Sequence, residues 1–480
     1  MNPSQRRLRL IQWTTGKVAG ESIRAILDRP NDFELVGLYA YSAEKVGQDV
    51  GDLIGLGRKI GVKATDDIDA LIALKPDCAV YMPLHPNVEH MAKLLRAGIN
   101  VATTASFMTG RGYGEEARRT LEAAAQAGGV SLFGSGINPG WVDGVVATAS
   151  SMCREVNLVR VTESFNIGMW AGDANQDVLG WGRPAGDPGH AKDIEKATLP
   201  FGDAVEAMAH MFQFTVDDIR CDVTFAHATQ DLDIPGRLVK KGTVAGILSR
   251  WRGFSGGHPV IELIVQWTLA DEIAPAWDVA MAYLVEIHGT PQLKFRAEVL
   301  PSDMSLPMEE LVKTGFIMTA MPVVNAIPAV VAARPGIVTY ADLRPVTSVL
   351  RPKAGVASEA LRVPLREEAD PAPAPAASSS GAVPVEGTWK VVIKGPTGPQ
   401  ETQLVLTRKD GVLAGEQSAQ GASSPVSEMV LEGNRLSWVN HVAKPIKMKV
   451  RFEGTLEGDR MSGKCKPGFM GSFPFTGVKV

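Results

Sequence analysis

Three domains of different class are predicted: an α/β domain over residues 1–137, an α+β domain with a mostly antiparallel sheet over 138–350, and an all-β barrel over 385–480. Three features predict them. The chain opens strand, glycine turn, helix, strand, and continues that alternation for about a hundred residues. Beyond residue 150 the apolar pattern switches to period two. A Pro/Ala/Ser-rich stretch, 351–384, then separates a run of short alternating segments from everything before it.

In the first domain, Leu8 to Trp13 reads as a buried strand, Thr14 to Gly20 as a tight turn, Glu21 to Leu27 as a helix and Phe33 to Tyr39 as the next strand. The turn fits a degenerate Gly-x-Gly-x-x-Gly frame, with Thr14 at the first glycine, Gly16 at the second and Ala19 at the third. Such a turn brings bare backbone N–H groups to a diphosphate at a helix N-terminus, so a Rossmann-type dinucleotide domain is expected. Strands at Cys78 to Leu84, Asn100 to Thr104 and Val130 to Phe133, with helices at Pro86 to Ala97 and Glu115 to Ala127, complete a doubly wound sheet.

Asn138 and Pro139 stand at the hinge into the second domain, Asn138 in a position to cap the helix that follows. Strands are expected at Leu158 to Ile167, Cys221 to Thr229, Lys240 to Trp251, Val260 to Leu269, Ala282 to His288 and Leu293 to Leu300, with a helix at Gly202 to Phe214. Trp170 to His190, rich in Gly, Asp, Pro and Trp, is a long loop able to close over a substrate. Phe316 to Ala333 carries no charge, but Pro322, Asn325 and Pro328 make it a kinked core helix, or two short ones, in preference to a membrane span. Glu367 to Pro384 has the composition of a solvated linker, and turns such as Glu432-Gly-Asn434 divide the last ninety or so residues into the strands of an up-and-down barrel.

Bulk properties narrow the function. A net charge of −4 without a basic stripe argues against nucleic acid as a partner. Cys78, Cys153, Cys221 and Cys465 form no Cys-x-x-Cys pair and the first residues lack an apolar signal core, so a cytoplasmic protein with reduced thiols is expected. No metal is assigned, because no helical ligand pair or cysteine cluster occurs. A homo-oligomer, a dimer in the simplest case, is expected from the exposed face of the second sheet.

The candidate cofactor-binding residues are Thr14, Thr15, Gly16, Lys17, Val18 and Ala19 in the turn, and Ser42 and Lys45 after the second strand. The acid that would bind the ribose 2′-hydroxyl of NAD is replaced by Ala40-Tyr41-Ser42, and Ser42, Lys45 and Lys17 suit a 2′-phosphate, so NADP(H) is favoured with NAD(H) as the alternative. Leu84, Thr103 and Thr104, at carboxyl ends of strands, are expected at the nicotinamide half. His85, Ser106 and Glu163 are the candidate catalytic groups: His85 and Ser106 follow central strands, and Glu163 is a charge inside a strand, outward-facing on the plainest reading and an acid or base if buried. Asn138 and Trp141, at the hinge, are the candidate substrate contacts.

With these residues in view, the chain from about residue 8 to 350 resembles the dihydrodipicolinate-reductase-like family, in the branch of diaminopentanoate dehydrogenase and the native amine dehydrogenases. The resemblance rests on Ile11-Gln-Trp-Thr-Thr-Gly-Lys-Val18, Glu34-Leu-Val-Gly37, Tyr41-Ser-Ala-Glu-Lys-Val-Gly47, Val101-Ala-Thr-Thr104 and Gly136-Ile-Asn-Pro-Gly-Trp141. It implies reversible hydride transfer between NAD(P)H and a C=N or C=O carbon of a small molecule held between the domains. The reductase's paired histidine motif is absent, which disfavours a dihydrodipicolinate substrate. Ala105-Ser106-Phe107 stands where the amine dehydrogenases carry a carboxylate, which favours reduction of a preformed imine, a carbonyl or an activated C=C over ammonia-dependent amination. A non-enzymatic NADP(H)-binding sensor is a further alternative. The terminal domain, through Gly468 to Gly477, resembles small lipocalin-like β domains, which leaves a hydrophobic-ligand pocket and a stabilising module equally open.

Overall fold

The computed structural model describes residues 6–301, 303, 306–349, 385–395, 398–409, 412–419, 422–442, 448–467 and 473–480. The expected linker 351–384 and the segment 468–472 lie outside them. Two compact units are present, Met1–Leu300 with Val312–Val349, and Pro301–Leu311 with Leu350–Val480.

The first sheet is built from β1 (Leu8–Trp13), β2 (Phe33–Tyr39), β3 (Ala64–Thr65), β4 (Cys78–Tyr81), β5 (Asn100–Thr103) and β6 (Ser131–Gly134). Its helices are α1 (Lys17–Leu27), α2 (Val50–Leu53), α3 (Ile68–Ala73), α4 (Val88–Arg96) and α5 (Glu115–Gly128). The strands are short, apolar and almost wholly buried, as a parallel sheet covered on both faces requires. α1 begins at Lys17, four residues earlier than expected: the glycine-rich letters Gly16 to Gly20 read as a turn, yet Lys17 to Gly20 form the first helical turn and Ala19 in it is buried.

The second sheet follows α6 (Val142–Ser150) and comprises β7 (Glu155–Asn166), β8 (Asp218–Ala228), β11 (Val244–Ser255), β12 (His258–Thr268), β13 (Ile273–Ala274), β14 (Ala282–Thr290) and β15 (Leu293–Ala297), with β9 (Leu232–Ile234) and β10 (Arg237–Val239) forming a separate hairpin. The strand order is β13-β8-β11-β12-β7-β14-β15, and β12 with β7 is its single parallel pair. α6 and α8 (Leu199–Met211) share a core with one face of this sheet, where Val159, Val161, Trp251, Leu263 and Tyr283 are buried; α7 (His190–Ala197) directly precedes α8.

The chain then returns to the first sheet. α9 (Met308–Val331) is long and apolar enough to cross a membrane, yet Ala320, Val323, Val324 and Ile327 are buried in one core with Leu10, Ile23 and Val80 of the first domain. It runs as one helix through Pro322 and Pro328. β16 (Gly336–Val338) pairs in parallel with β6, giving the order β16-β6-β5-β4-β1-β2-β3.

The second unit contains a closed antiparallel barrel of eight strands: β17 (Gly387–Gly395), β18 (Gly398–Lys409), β19 (Val412–Ala419), β20 (Ala422–Glu432), β21 (Arg435–Val442), β22 (Met448–Glu457), β23 (Arg460–Pro467) and β24 (Phe473–Lys479). The first half of β20, Ala422-Ser-Ser-Pro-Val-Ser, is polar in composition yet pairs with β19. Inside, Trp389, Trp438, Phe452 and Phe475 are fully buried, and Trp438 stacks on Phe452 with ring centres 4.6 Å apart. The Trp438 indole N–H donates to Gln417 Oε1 at 3.0 Å, and the Gln417 amide donates to Thr402 Oγ1 at 2.9 Å. The four aromatic rings belong to the barrel's buried apolar core. Trp438→Ala is therefore expected to cost the barrel about 3–5 kcal/mol, measured by denaturant unfolding; a loss near zero would show that the interior is not a packed core.

Candidate active site

β1 and β4 lie side by side in the first sheet, and the candidate site begins at their carboxyl ends. Directly after Trp13 the backbone of Thr14 turns left-handed, with φ 74°, the conformation that the first glycine of the fingerprint normally supplies. A β-branched residue there costs on the order of 1–3 kcal/mol. It is held by the Thr14 N–H to Tyr39 O at 2.9 Å and by Thr14 Oγ1 donating to Met82 O at 3.1 Å. Gly16 is the N-cap of α1, and no atom lies within 4 Å of where a Cβ would stand on it. An open face, a bare helix N-terminus and the carboxyl end of the sheet fit the diphosphate of a dinucleotide. Ala19, which is buried, packs α1 onto the sheet as the third glycine of the frame would; Val18 beside it is half-buried.

After β2, Lys45 Nζ donates to Thr15 Oγ1 at 3.1 Å, and its backbone N–H closes a turn on Ser42 O at 2.9 Å. Ser42 Oγ is buried and finds no partner among the described residues. Thr15, Ser42 and Lys45 thus come together. Lys17 does not join them, contrary to the expectation from sequence: its ammonium is paired with Asp173 of the second domain and lies 5.2 Å from the Phe316 ring centre.

At the ends of β4 and β5, Leu84, His85 and Ser106 are exposed. Ser106 has φ 52°, an uncommon backbone state for serine, and donates its N–H to Thr104 O at 2.9 Å. Thr104 is half-buried, whereas Thr103 is fully buried, its hydroxyl donating to Tyr81 O at 2.7 Å and accepting from the Ala105 N–H at 2.9 Å. The Thr103 hydroxyl is therefore spent on joining β5 to β4, a correction to its expected place at the nicotinamide. The loop beyond Ser106 is clamped by α8: Asp203 accepts from the Gly110 and Gly112 N–H groups at 3.1 and 2.5 Å, and Glu206 from Thr109 Oγ1 at 2.5 Å. Burial pushes the Asp203 carboxyl up to about 6.

The hinge meets a strongly shifted carboxyl on β7. Asn138 makes no side-chain cap, against the sequence expectation. Its Nδ2 instead donates to Glu163 Oε2 at 2.8 Å, while the Trp267 indole N–H donates to Oε1 at 2.9 Å. Glu163 sits on β7 opposite Val265 of β12 and Tyr283 of β14, is 8% exposed, and is driven up to about 7 by burial, with the two N–H donors opposing the shift. Glu163 follows Val159 and Val161 at period two and so shares their covered face of β7, a correction to the outward orientation expected from sequence; the hinge residues 137–141 place Asn138 where its amide reaches that face.

Asn138 Oδ1 is itself buried without a partner, an acceptor free for a ligand N–H. Gly140, at φ 131°, donates its N–H to Asp143 Oδ2 at 2.8 Å; a Cβ on it would come within 2.4 Å of Ser135 Oγ, so only glycine fits. Asp143 is fully buried and pushed up to about 7 by desolvation. Trp141, 38% exposed, leaves its indole available as a wall.

Within the Trp170 to His190 loop, His190 is an anchor and not a lid group: it is buried, its Nε2 contacts Leu179 O at 2.8 Å, and its ring stacks on Phe225 at 4.5 Å. Sequence reasoning missed Trp267, Asp143 and the Asp203 clamp. A buried indole needs an acceptor, so a tryptophan in an alternating strand near a strand glutamate was the available signal for Trp267.

Comparisons with known proteins bear on family and fold. Residues 141–357 match the 2,4-diaminopentanoate dehydrogenase C-terminal domain. An amine dehydrogenase of Streptomyces virginiae is 27% identical over 350 residues, covering 69% of this chain and 95% of that protein. The chain is homologous to the amine and 2,4-diaminopentanoate dehydrogenases. The 2,4-diaminopentanoate dehydrogenase of Acetoanaerobium sticklandii is 27% identical over 243 residues, 48% of this chain and 61% of that one. The solved amine dehydrogenase of Mycobacterium smegmatis superposes with a TM-score of 0.58 at 23% identity, covering 72% of this chain and 99% of that one, which shows a shared fold.

Because Glu163 titrates higher in the folded protein than its ordinary value of 4.5, the native state binds that proton more tightly than the unfolded chain. Its stabilising contribution is complete below about 4.5 and is lost as pH rises to about 7. Comparing urea unfolding of the wild type with Glu163→Gln across this window should show the wild type losing stability relative to the variant as pH rises. A parallel pair of pH curves would mean that Glu163 titrates normally.

Proposed function

We propose that this chain, a pyridine-nucleotide oxidoreductase by its relatives, works on a carbon–nitrogen bond, interconverting an amine and the corresponding imine or carbonyl compound. The observation that carries the proposal is Glu163: a buried carboxyl, neutral or charged near pH 7, held between a hinge amide and an indole N–H. The carboxylate absent after β5, where Ser106 stands, is then supplied from the second sheet. Family model and relatives point to amines as the substrate class.

A nicotinamide bound along the β1 and β4 edge supplies or accepts the hydride at the substrate carbon. The chain supplies position and proton handling. A carboxylate has about four acceptor positions, and only two of those on Glu163 are taken, so its remaining lone pairs are open to a substrate N–H. In its charged form it accepts a proton from an ammonium or an attacking water. In its acid form it returns one to the nitrogen or to a departing hydroxyl. Asn138 Oδ1 offers a second acceptor on the same side, and Trp141 an apolar wall that excludes water.

Ser42 and Lys45, gathered beside Thr15, support NADP(H) as the preferred cofactor, since a hydroxyl and an ammonium suit a 2′-phosphate and repel no charge on it. His85, exposed at the end of β4, is a contact to the cofactor or solvent, not the proton donor. Four free cysteines suit a reducing, cytoplasmic setting. A homodimer formed through the face of the second sheet away from α6 and α8 completes the proposal.

Two measurements test this. Oxidation of NADPH in the presence of aldehydes or ketones should require ammonia or an amine, and Glu163→Gln should lower kcat by roughly a hundredfold or more while leaving the cofactor Kd unchanged. Ammonia-independent carbonyl reduction that survives in the variant would favour a plain carbonyl reductase. Separately, Lys45→Ala should weaken NADPH binding by roughly tenfold and leave NADH within about twofold; equal losses for both would remove the 2′-phosphate assignment.

A further inference from the structure

Lys17 occupies the first position of α1, where the helix dipole disfavours a cation, and no acidic residue of its own first turn offsets it. Its anion comes from the other domain: Asp173, in the loop between β7 and α7, pairs with it. Asp173 is the less exposed partner, at 19% against 61% for Lys17. The loop that carries it is built in place. Arg237 donates to Ala171 O at 3.0 Å and pairs with Asp177, the Trp170 indole N–H donates to Val312 O at 3.3 Å, and Gly172 lies so close to Gly236 that a Cβ would meet its Cα at 3.0 Å. The ammonium also lies over the Phe316 ring, 5.2 Å from its centre. A fixed loop of the second domain therefore sets a carboxylate beside the open turn at Gly16.

We propose that Asp173 is a positioning residue that competes with the cofactor's diphosphate for Lys17, so that the second domain sets the strength of cofactor binding. The proposal rests on the cofactor placement given above and adds to it the identity of the group that opposes binding. The physical reason is charge. A diphosphate brought to the α1 N-terminus meets the same ammonium that Asp173 holds, and one exposed cation cannot satisfy two anionic partners as well as it satisfies one. While the pair is intact, the cofactor binds against a neighbouring negative charge. Once that charge is removed, Lys17 is free to face the diphosphate. Because the diphosphate is common to both pyridine nucleotides, the effect does not depend on the 2′-phosphate.

The test is a binding cycle on the full chain, with NADPH and NADH each titrated into wild type, Asp173→Asn, Lys17→Gln and the double variant, at low and high salt. Asp173→Asn should tighten both cofactors by roughly three- to fivefold at low salt, the size expected of an exposed ion pair, and by less at high salt. Lys17→Gln should weaken both, and in that background Asp173→Asn should give little further gain. An Asp173→Asn variant that binds no more tightly than the wild type, or one whose gain is the same with and without Lys17, overturns the proposal. Cofactor that binds the wild type normally alongside such a result leaves the dinucleotide site standing. Failure of the wild type to bind either cofactor removes both.

Discussion

The constraint on which the rest of this structure turns is a carboxyl group kept out of water. Glu163 lies in the same sheet as Val265 and Tyr283, and burial alone would keep its acid form to high pH. Two N–H donors moderate that penalty. One comes from the neighbouring strand, and the other from the hinge, where the chain passes from the first sheet to the second. A single side chain thus joins the hinge to two strands of the second sheet, and burial pushes its carboxyl up to about 7. The backbone at Gly140, closed around Ser135 and tied to Asp143, holds Asn138 in reach.

At the nucleotide edge the chain keeps the shape of a fingerprint whose letters it has partly lost. Thr14 holds the left-handed backbone that glycine would adopt freely, and uses its hydroxyl to fasten β1 to the segment after β4. Gly16 keeps the one feature that no side chain can replace, which is empty space in front of the helix N-terminus. Glu163 and the Gly16 turn belong to different sheets. The loop carrying Asp173 pairs with Lys17 beside that turn, and under the proposal above this pair links cofactor affinity to the second domain through charge.

Much of this was legible in the sequence, and the part that was not has a common cause. Strands such as Cys78–Tyr81 and Val244–Ser255 declare themselves through apolar runs or alternation, and the Gly16 turn through its position between a strand and a helix. The return of β16 to the first sheet depends on a pairing between residues 131 and 336, about two hundred positions apart, which no local window reports. Asn138 has the sequence signature of a helix cap, but its amide satisfies a buried acceptor instead, a tertiary demand that outweighs the local one. Lys17 looked like a phosphate ligand at the ribose end because its partner is supplied by a loop more than 150 residues later. Glu163 was visible as a charge out of place in a strand, though its burial was not, since burial depends on what packs over the strand.

The most direct measurement is the titration of Glu163 itself, followed through the side-chain carboxyl carbon by NMR in protein labelled at glutamate, with Glu163→Gln identifying the signal. A carboxyl that changes charge near pH 7, and moves toward higher pH when Trp267 is replaced by phenylalanine, is the predicted result. A Glu163 signal that titrates in the ordinary range near 4.5 contradicts the account.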